Sequence, residues 1–389
     1  MDAKLKYFFK PKTGVSKMII GVPKEVKNQE YRVGLVPSAV RELVTHGHKV
    51  MVQHDAGIGI GITDADYDKA GAVVTRSPEE IFKKAEMIVK VKEPQPEEYK
   101  MLQEEQVLFT YLHLAPDSKQ AAGLKASGCI AIAYETVTDN YGKLPLLAPM
   151  SEVAGRLSIQ VGAHILEKKQ GGSGVLLGGV PGVVAGTVVI LGAGIVGINA
   201  MMMAVGVGAR VIVIDKYIPK LRELDFTYGS RITTAYASVD NIERYVSHAD
   251  LVVGAVLLPG AAAPKLVTKA MLRKMRPGSA LVDVAIDQGG CSETSKPTTH
   301  DEPTYIEEGV VHYCVTNMPS AVARTSAFAL NNATLPFVVA LANKGYKTAL
   351  LEDNNLLNGL NVFKGQITCE AAANDLGCRY TPAFDVLKG

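Results

Sequence analysis

Short apolar runs rich in Val and Ile alternate along this chain with segments whose apolar positions recur every three or four residues. The first pattern is that of buried strands and the second that of helices. Met18-Ile-Ile-Gly-Val opens the series and is stopped by Pro23, which cannot donate to a sheet ladder. Val36 to Thr45 carries helical spacing, with Gly47 past its end as a cap. Runs 48–54, 72–75, 87–91, 107–113 and 130–134 read as strands, and helices are predicted around 64–70 and 78–84. Ser151 is placed as the N-cap of a long helix with Val153, Leu157, Val161 and Ile165 on one stripe. Strands alternating with helices predict parallel sheets covered on both faces.

A charge-free run from Gln170 to Ala209 follows. Its length would suit a membrane span, but glycines interrupt it. Thr187 to Leu191 is a β-branched strand, and Gly192, Gly194 and Gly197 follow at G-x-G-x-x-G spacing. A helix-compatible segment from Ile198 comes next, then the strand 209–215 ending in Asp215. Strand, tight turn, helix, strand and acid make the dinucleotide-binding unit. The first glycine permits the turn, the second lets a pyrophosphate approach backbone N–H groups, and the third lets helix meet strand. Asp215 stands where a ribose hydroxyl needs an acceptor. Further strands are predicted at 249–256 and 280–286, and a second long helix at 326–343.

The predicted fold class is α/β: two Rossmann-like, doubly wound domains flanking a cleft and linked by two long helices. Residues 18–147 and 325–389 form one discontinuous domain, because the tail holds no complete α/β repeat of its own. Residues 148–324 form the nucleotide domain, and 1–17 an extension before the core. A cleft between such domains is where cofactor and small substrate meet.

Composition adds exclusions. A formal net charge of +2, with no basic-aromatic cluster, argues against nucleic acid as a partner. Five cysteines without a C-x-x-C pair argue against a disulfide framework or zinc site and fit a reducing, cytoplasmic compartment. The N-terminus has no secretory h-region, and no membrane association is expected. His46, His48 and His54 lie close in sequence, but without supporting carboxylates no metal site is expected there.

Function in parallel sheets gathers at the carboxyl ends of strands. His113 closes the strand 107–112, Asp287 follows the strand ending at Ile286, Lys92 ends 87–91, and Arg32 follows a polar turn. Asp283 competes with Asp287 for the role of exposed acid.

These segments resemble the alanine dehydrogenases. The resemblance runs through 18–34, Lys90-Val-Lys-Glu-Pro94, Leu108 to Leu114, Ala148 to Arg156, Gly178-Gly-Val-Pro-Gly182, Asp283 to Cys291 and Asn317-Met-Pro319, from Met18 nearly to the end. It implies NAD in the cleft and reversible oxidative deamination of L-alanine to pyruvate and ammonium, usually in a homohexamer. It makes Arg32 and Lys92 the carboxylate binders and His113 and Asp287 the acid/base pair. The positions matching NAD contacts are Ser151, Ile195, Val196, Asp215, Lys220, Val256, Leu257, Lys296, Asn317 and Met318. The departures are the extension before Met18 and lysine rather than arginine at 296.

The rival reading is the NAD(H)-binding portion of a proton-pumping transhydrogenase, which shares the two-domain plan but needs no amino-acid site. A membrane segment would favour it; none is expected before Gly389. A nucleotide sensor without turnover would have no use for Arg32, Lys92, His113 and Asp287 together.

Overall fold

The structure, a computed structural model, describes residues 17–256 and 263–388. Leu257 and the extension before Lys17 lie outside the described residues. The chain divides into two compact units: residues up to Pro149 together with Val322 onward, and Met150 to Ala321 between them.

The first unit is built on an eight-stranded sheet. Its strands are β1 (Ile19–Val22), β2 (Lys49–Gln53), β3 (Val73–Thr75), β4 (Met87–Val89), β5 (Val107–Thr110) and β6 (Ile130–Ala133), joined from the tail by β14 (Leu360–Phe363) and β15 (Gln366–Ile367). The order is β15-β14-β6-β5-β4-β1-β2-β3. The six N-terminal strands run parallel, while β14 is antiparallel to β6 and to β15. Strand order reverses at β1, which has β2 on one side and β4 on the other, so ligands are expected beyond the carboxyl ends of β1 and β4. Met87, Ile88, Val89, Val107, Leu108 and Phe109 are sealed from solvent, as parallel strands covered on both faces require.

The second unit carries seven strands: β7 (Thr187–Leu191), β8 (Arg210–Asp215), β9 (Ile232–Tyr236), β10 (Leu251–Gly254), β11 (Ala280–Asp283), β12 (Thr304–Glu307) and β13 (Val310–Tyr313). Their order is β12-β13-β11-β10-β7-β8-β9, parallel except for β12, which pairs antiparallel with β13. The switch point falls between β7 and β10. The sheets are therefore mainly parallel rather than wholly so. The two antiparallel hairpins, β12–β13 and β14–β15, close through two-residue turns, Glu308-Gly309 and Lys364-Gly365, with φ of 52° and 77° and of 45° and 85°, the type I′ signature.

Three boundaries depart from the sequence expectation. The first long helix begins at Ala148, so Ser151 sits inside its first turn and is not its N-cap. The nucleotide-turn helix begins at Ile195, with Gly194 as N-cap. β11 ends at Asp283, and Asp287 lies on a following 3-10 turn, Val284–Gln288.

The second long helix spans Ala323–Glu352 and is interrupted at Gly345, where φ is 73° and ψ 156°. It is long and apolar enough by composition to cross a bilayer. It is nonetheless a core element of the first unit: Ala327, Leu330, Thr334, Val338 and Leu341 are buried. Asn331 accepts the Val36 N–H at 2.8 Å and donates to Ala327 O at 2.9 Å.

Candidate functional site

In the second unit the glycine-rich turn performs three separate tasks. Gly192 has φ of 105°, and a Cβ there would meet the Ala255 carbonyl oxygen at 2.8 Å, so the turn after β7 passes directly under the end of β10. A Cβ on Gly197 would lie 1.8 Å from the Gly192 carbonyl oxygen; the helix sits on the turn with no room for a side chain. A Cβ on Gly194 would meet nothing within 4 Å. That open approach faces the first turn of the helix Ile195–Gly206, whose unsatisfied N–H groups and dipole favour an anion.

Asp215 ends β8 beside this turn. Its Oδ2 accepts the Ala193 N–H at 2.6 Å and its Oδ1 the Tyr217 N–H at 2.8 Å, which fixes the carboxylate at the lip of a hollow of about 490 Å³. Ala193, Gly194, Tyr217 and Lys220 also line it. Lys220 leans on Glu223, Nζ to Oε2 at 2.8 Å. A larger hollow, about 1190 Å³, opens at the amino ends of the same strands beside Thr187, Arg210 and Ile232, and holds none of the candidate residues.

Asp283 and Asp287 are separated by burial. Asp283 is sealed from solvent; it accepts the N–H groups of Ala285 at 3.1 Å and Cys291 at 2.8 Å, and the Ser295 hydroxyl. Its carboxylate thus shapes the loop that carries Asp287. Asp287 is exposed. The loop is also clamped by Lys265, whose Nζ donates to Gly289 O and Gly290 O.

The other nucleotide-side positions vary in setting. Val196, Val256 and Ser151 are half-buried, Ile195 is exposed and Met318 buried. Lys296 donates to Glu307 Oε2 at 2.6 Å and lies over the Tyr305 ring. Asn317 adopts the left-handed conformation, φ 59°, and its carbonyl accepts the Ser320 N–H and hydroxyl, both at 3.1 Å.

In the first unit the candidate residues stand at the carboxyl ends of the adjacent strands β1, β4 and β5. Arg32 is 2% exposed, and Glu30 grips it: Nε to Oε1 at 2.7 Å and Nη2 to Oε2 at 2.6 Å. Burial opposes the guanidinium charge, but the hydrogen bonds and charge of Glu30 outweigh it and raise the pKa. Lys92 is the opposite case. Burial lowers its pKa, the positive charges of Arg32 and Lys27 add to that, and Glu93 offsets only part. No protein group hydrogen-bonds the Lys92 ammonium among the described residues. Two cations held close, one locked by its counter-ion and one whose charge is only partly offset, have the chemistry that suits a small anion.

Behind them lies a buried charge cluster that sequence reasoning missed. Lys90 is sealed from solvent and donates to Glu98 Oε1 at 2.6 Å and Glu25 Oε2 at 3.1 Å. Glu25 Oε1 also accepts the Val91 N–H at 2.7 Å. Desolvation pushes the Glu25 pKa up. Lys90 and Lys92, two residues apart, would share one face of a continuing strand, but β4 ends at Val89 and the chain bends at Val91 and Lys92, leaving Lys90 sealed and Lys92 half-buried.

His113 lies three residues beyond the end of β5, exposed, with φ of 46°. A non-glycine residue in that region costs of order 1–3 kcal/mol and persists where neighbours enforce it. Two do so. The imidazole stacks on Tyr111, 5.8 Å between centroids and 11° between planes. The Glu135 carboxylate accepts the N–H groups of Leu112 at 3.1 Å and His113 at 2.5 Å.

His46, His48 and His54 do not gather. Asn343 bonds both His46 Nδ1 and His48 Nε2. His54 lies between Asp55, its neighbour in sequence, and Asp64, so it does have the carboxylates that the sequence expectation left out of account. Each ring nitrogen already faces one of them.

Comparison with known proteins places these sites in a lineage. Residues 21–154 match the family described as Alanine dehydrogenase/PNT, N-terminal domain, and residues 158–370 its C-terminal domain. The alanine dehydrogenase of Halomonas elongata is 57% identical over 370 residues, 95% of this chain and all of that one. The alanine dehydrogenase of Bacillus subtilis is 53% identical over 95% of this chain and 98% of its own length. A solved L-alanine dehydrogenase superposes with a TM-score of 0.90 at 53% identity, covering 95% of this chain and all of that one. The transhydrogenase from Sinorhizobium meliloti gives a TM-score of 0.78 at 22% identity, covering 91% of this chain and 99% of that one, a likeness of fold alone. The chain belongs to the alanine dehydrogenase/PNT family.

Proposed function

We propose that this protein is an NAD-dependent L-alanine dehydrogenase, interconverting L-alanine with pyruvate and ammonium. The observation that carries the chemistry is the cation pair of the first unit, Arg32 gripped by Glu30 and Lys92 with no hydrogen-bond partner for its ammonium among the described residues. Near-complete coverage of relatives named alanine dehydrogenase supports the same reading.

Arg32 and Lys92 bind the substrate carboxylate. Arginine's planar fork orients it, and the Lys92 ammonium gains the counter-charge it lacks in the protein. NAD fits the second unit: the open face of Gly194 admits the pyrophosphate, with N–H groups of the turn and of Ile195 and Val196 as donors. The Asp215 carboxylate accepts the ribose hydroxyls. Ser151, Lys220, Val256, Lys296, Asn317 and Met318 are proposed as further contacts. When bound, NAD supplies the nicotinamide carbon that accepts hydride from the substrate Cα.

Loss of hydride leaves an iminium carbon, which water attacks. Asp287 takes a proton from that water as its oxygen bonds to the carbon, and its negative charge favours the cationic intermediate. His113, holding the proton taken from the substrate ammonium before hydride leaves, passes it to the nitrogen of the resulting carbinolamine; ammonia departs as the C–N bond breaks, and His113 takes the hydroxyl proton as the carbonyl of pyruvate forms. In the reverse direction the same groups return the protons. A homohexamer in a reducing cytoplasm is the assembly and setting proposed; the five cysteines are all unpaired.

The test is NADH formation from L-alanine and NAD, and NADH oxidation with pyruvate plus ammonium. His113→Ala and Asp287→Asn should each lower kcat by roughly 10² or more, the scale of acid–base groups, with nucleotide affinity retained. Intact NAD binding without turnover of alanine would overturn the reading and favour the transhydrogenase alternative.

A further inference from the structure

The proton-handling role given to His113 requires its imidazole to be presented in one geometry, yet its backbone occupies a conformation that L-residues rarely adopt. The strand β5 ends at Thr110, and three residues on the backbone switches to positive φ at His113. Without a constraint there, His113 would relax toward extended backbone and its ring would leave the face of Tyr111. The constraint comes from a neighbouring strand. Glu135 follows β6 on the 3-10 turn Tyr134–Thr136. Its Oε1 accepts two successive N–H groups, Leu112 at 3.1 Å and His113 at 2.5 Å, with Oε2 also reaching Leu112 at 3.2 Å. Two consecutive amides converging on one oxygen form a concave nest, the arrangement that a left-handed residue creates. Tyr111 supplies the other wall: its hydroxyl donates to Leu146 O at 2.6 Å and its ring meets Tyr134 edge-on at 5.0 Å.

We propose that Glu135 is a positioning residue for the reaction. Its carboxylate closes the nest formed by Leu112 and His113, and so holds the imidazole against Tyr111 in the orientation that proton transfer needs. Glu135 does not itself touch substrate. This inference rests on the catalytic role of His113. The work is done by acceptor geometry at one oxygen, not by the negative charge, so glutamine with its amide oxygen in the same place is a conservative replacement.

The experiment is a double-mutant cycle read in kcat, pyruvate KM, NADH affinity and Tm. Glu135→Ala, and the size-matched Glu135→Met should the alanine variant fold poorly, are expected to lower kcat at least tenfold. Pyruvate KM and NADH affinity should move less than threefold. Glu135→Gln should keep more than half of the wild-type kcat. In a His113→Ala background, Glu135→Met should add no further loss, because residues acting as one unit are not additive. A Glu135→Met enzyme with more than half of wild-type kcat overturns the positioning role while leaving His113 in place. A Glu135→Gln enzyme as impaired as Glu135→Met also overturns it, since charge would then be the operative property. An active His113→Ala enzyme overturns the catalytic reading itself, and the inference with it.

Discussion

The two units solve recognition in opposite ways. The first unit gathers charged side chains withdrawn from water: Arg32 with Glu30, Lys92 beside them, and Lys90 with Glu25 and Glu98 behind. The second unit builds its site from main chain. Gly192 and Gly197 bring turn, strand and helix to contact distance, Gly194 leaves the approach open, and Asp215 and Asp283 spend their oxygens on backbone N–H groups. The difference follows from the ligands proposed. A three-carbon carboxylate offers little surface, so its binding energy must come from a few charges that are already oriented. A dinucleotide offers phosphates and riboses along its length, and N–H groups at a helix start can share the task. Truncating side chains should therefore damage the first unit, and adding a single methyl group should damage the second.

The largest effect expected is in the charge cluster. Replacing Lys90 by Met leaves the Glu25 and Glu98 carboxylates buried without their cation. Breaking a buried pair from one side costs about 3–5 kcal/mol, which urea unfolding would register as a lowered midpoint. Restoring neutrality with Glu25→Gln and Glu98→Gln in the same chain should recover most of it. A loss below about 1 kcal/mol for Lys90→Met, the range of exposed pairs, would show that the cluster is not a desolvated network.

In the second unit, Gly197→Ala and Gly194→Ala separate packing from ligand approach. The first forces a methyl to 1.8 Å from a backbone oxygen and should lower Tm and nucleotide affinity together. The second fits the free protein and should leave Tm unchanged while weakening NAD binding by about tenfold, roughly 1.4 kcal/mol. Calorimetric titration with NAD beside a melting curve decides. Equal effects of the two substitutions on Tm would erase the division of labour between these glycines.

What could be read from the sequence follows the same division. The glycine turn was legible because the demand is local: strand, G-x-G-x-x-G, helix and Asp215 all fall within thirty residues, and Gly192 and Gly197 each answer a backbone contact. Most parallel strands of both sheets were legible as buried Val/Ile runs, but β9, with its Thr-Thr centre, and β13 were not. Nor were the two antiparallel hairpins. Their turns are Glu-Gly and Lys-Gly, without the Asn-Gly or Asp-Gly that advertises a type I′ turn. Ser151 was misread as a cap because Ser at the head of an apolar stripe is the common signal, whereas the helix starts three residues earlier at Ala148. The partners Glu25, Glu98 and Glu135 were invisible for another reason. A glutamate whose task is to hold a distant lysine or a strand-end amide looks like any surface glutamate until the fold brings the two together.

The smallest effect expected sharpens the contrast most, because it isolates one charge. Lys92 titrates below the ordinary lysine value of 10.5, chiefly through burial and then through Arg32 and Lys27. Its charge is therefore lost, as pH rises, before an exposed lysine would lose it. Pyruvate binding to the enzyme–NADH complex, followed by fluorescence with ammonium absent, should weaken along an alkaline limb lying below pH 10.5. Stability responds with the opposite sign. Between the lowered folded pKa and the unfolded one, the unfolded chain holds the extra proton, so this group's contribution to stability rises with pH. Weakening affinity without weakening of the fold distinguishes loss of the Lys92 charge from general alkaline unfolding. Lys92→Arg keeps a charge throughout this range, so its pyruvate affinity, although lower at neutral pH, should lose the limb. A limb that survives in Lys92→Arg, or an affinity flat to pH 10.5 in the unsubstituted protein, would remove Lys92 from the carboxylate site and leave Arg32 to bind it alone.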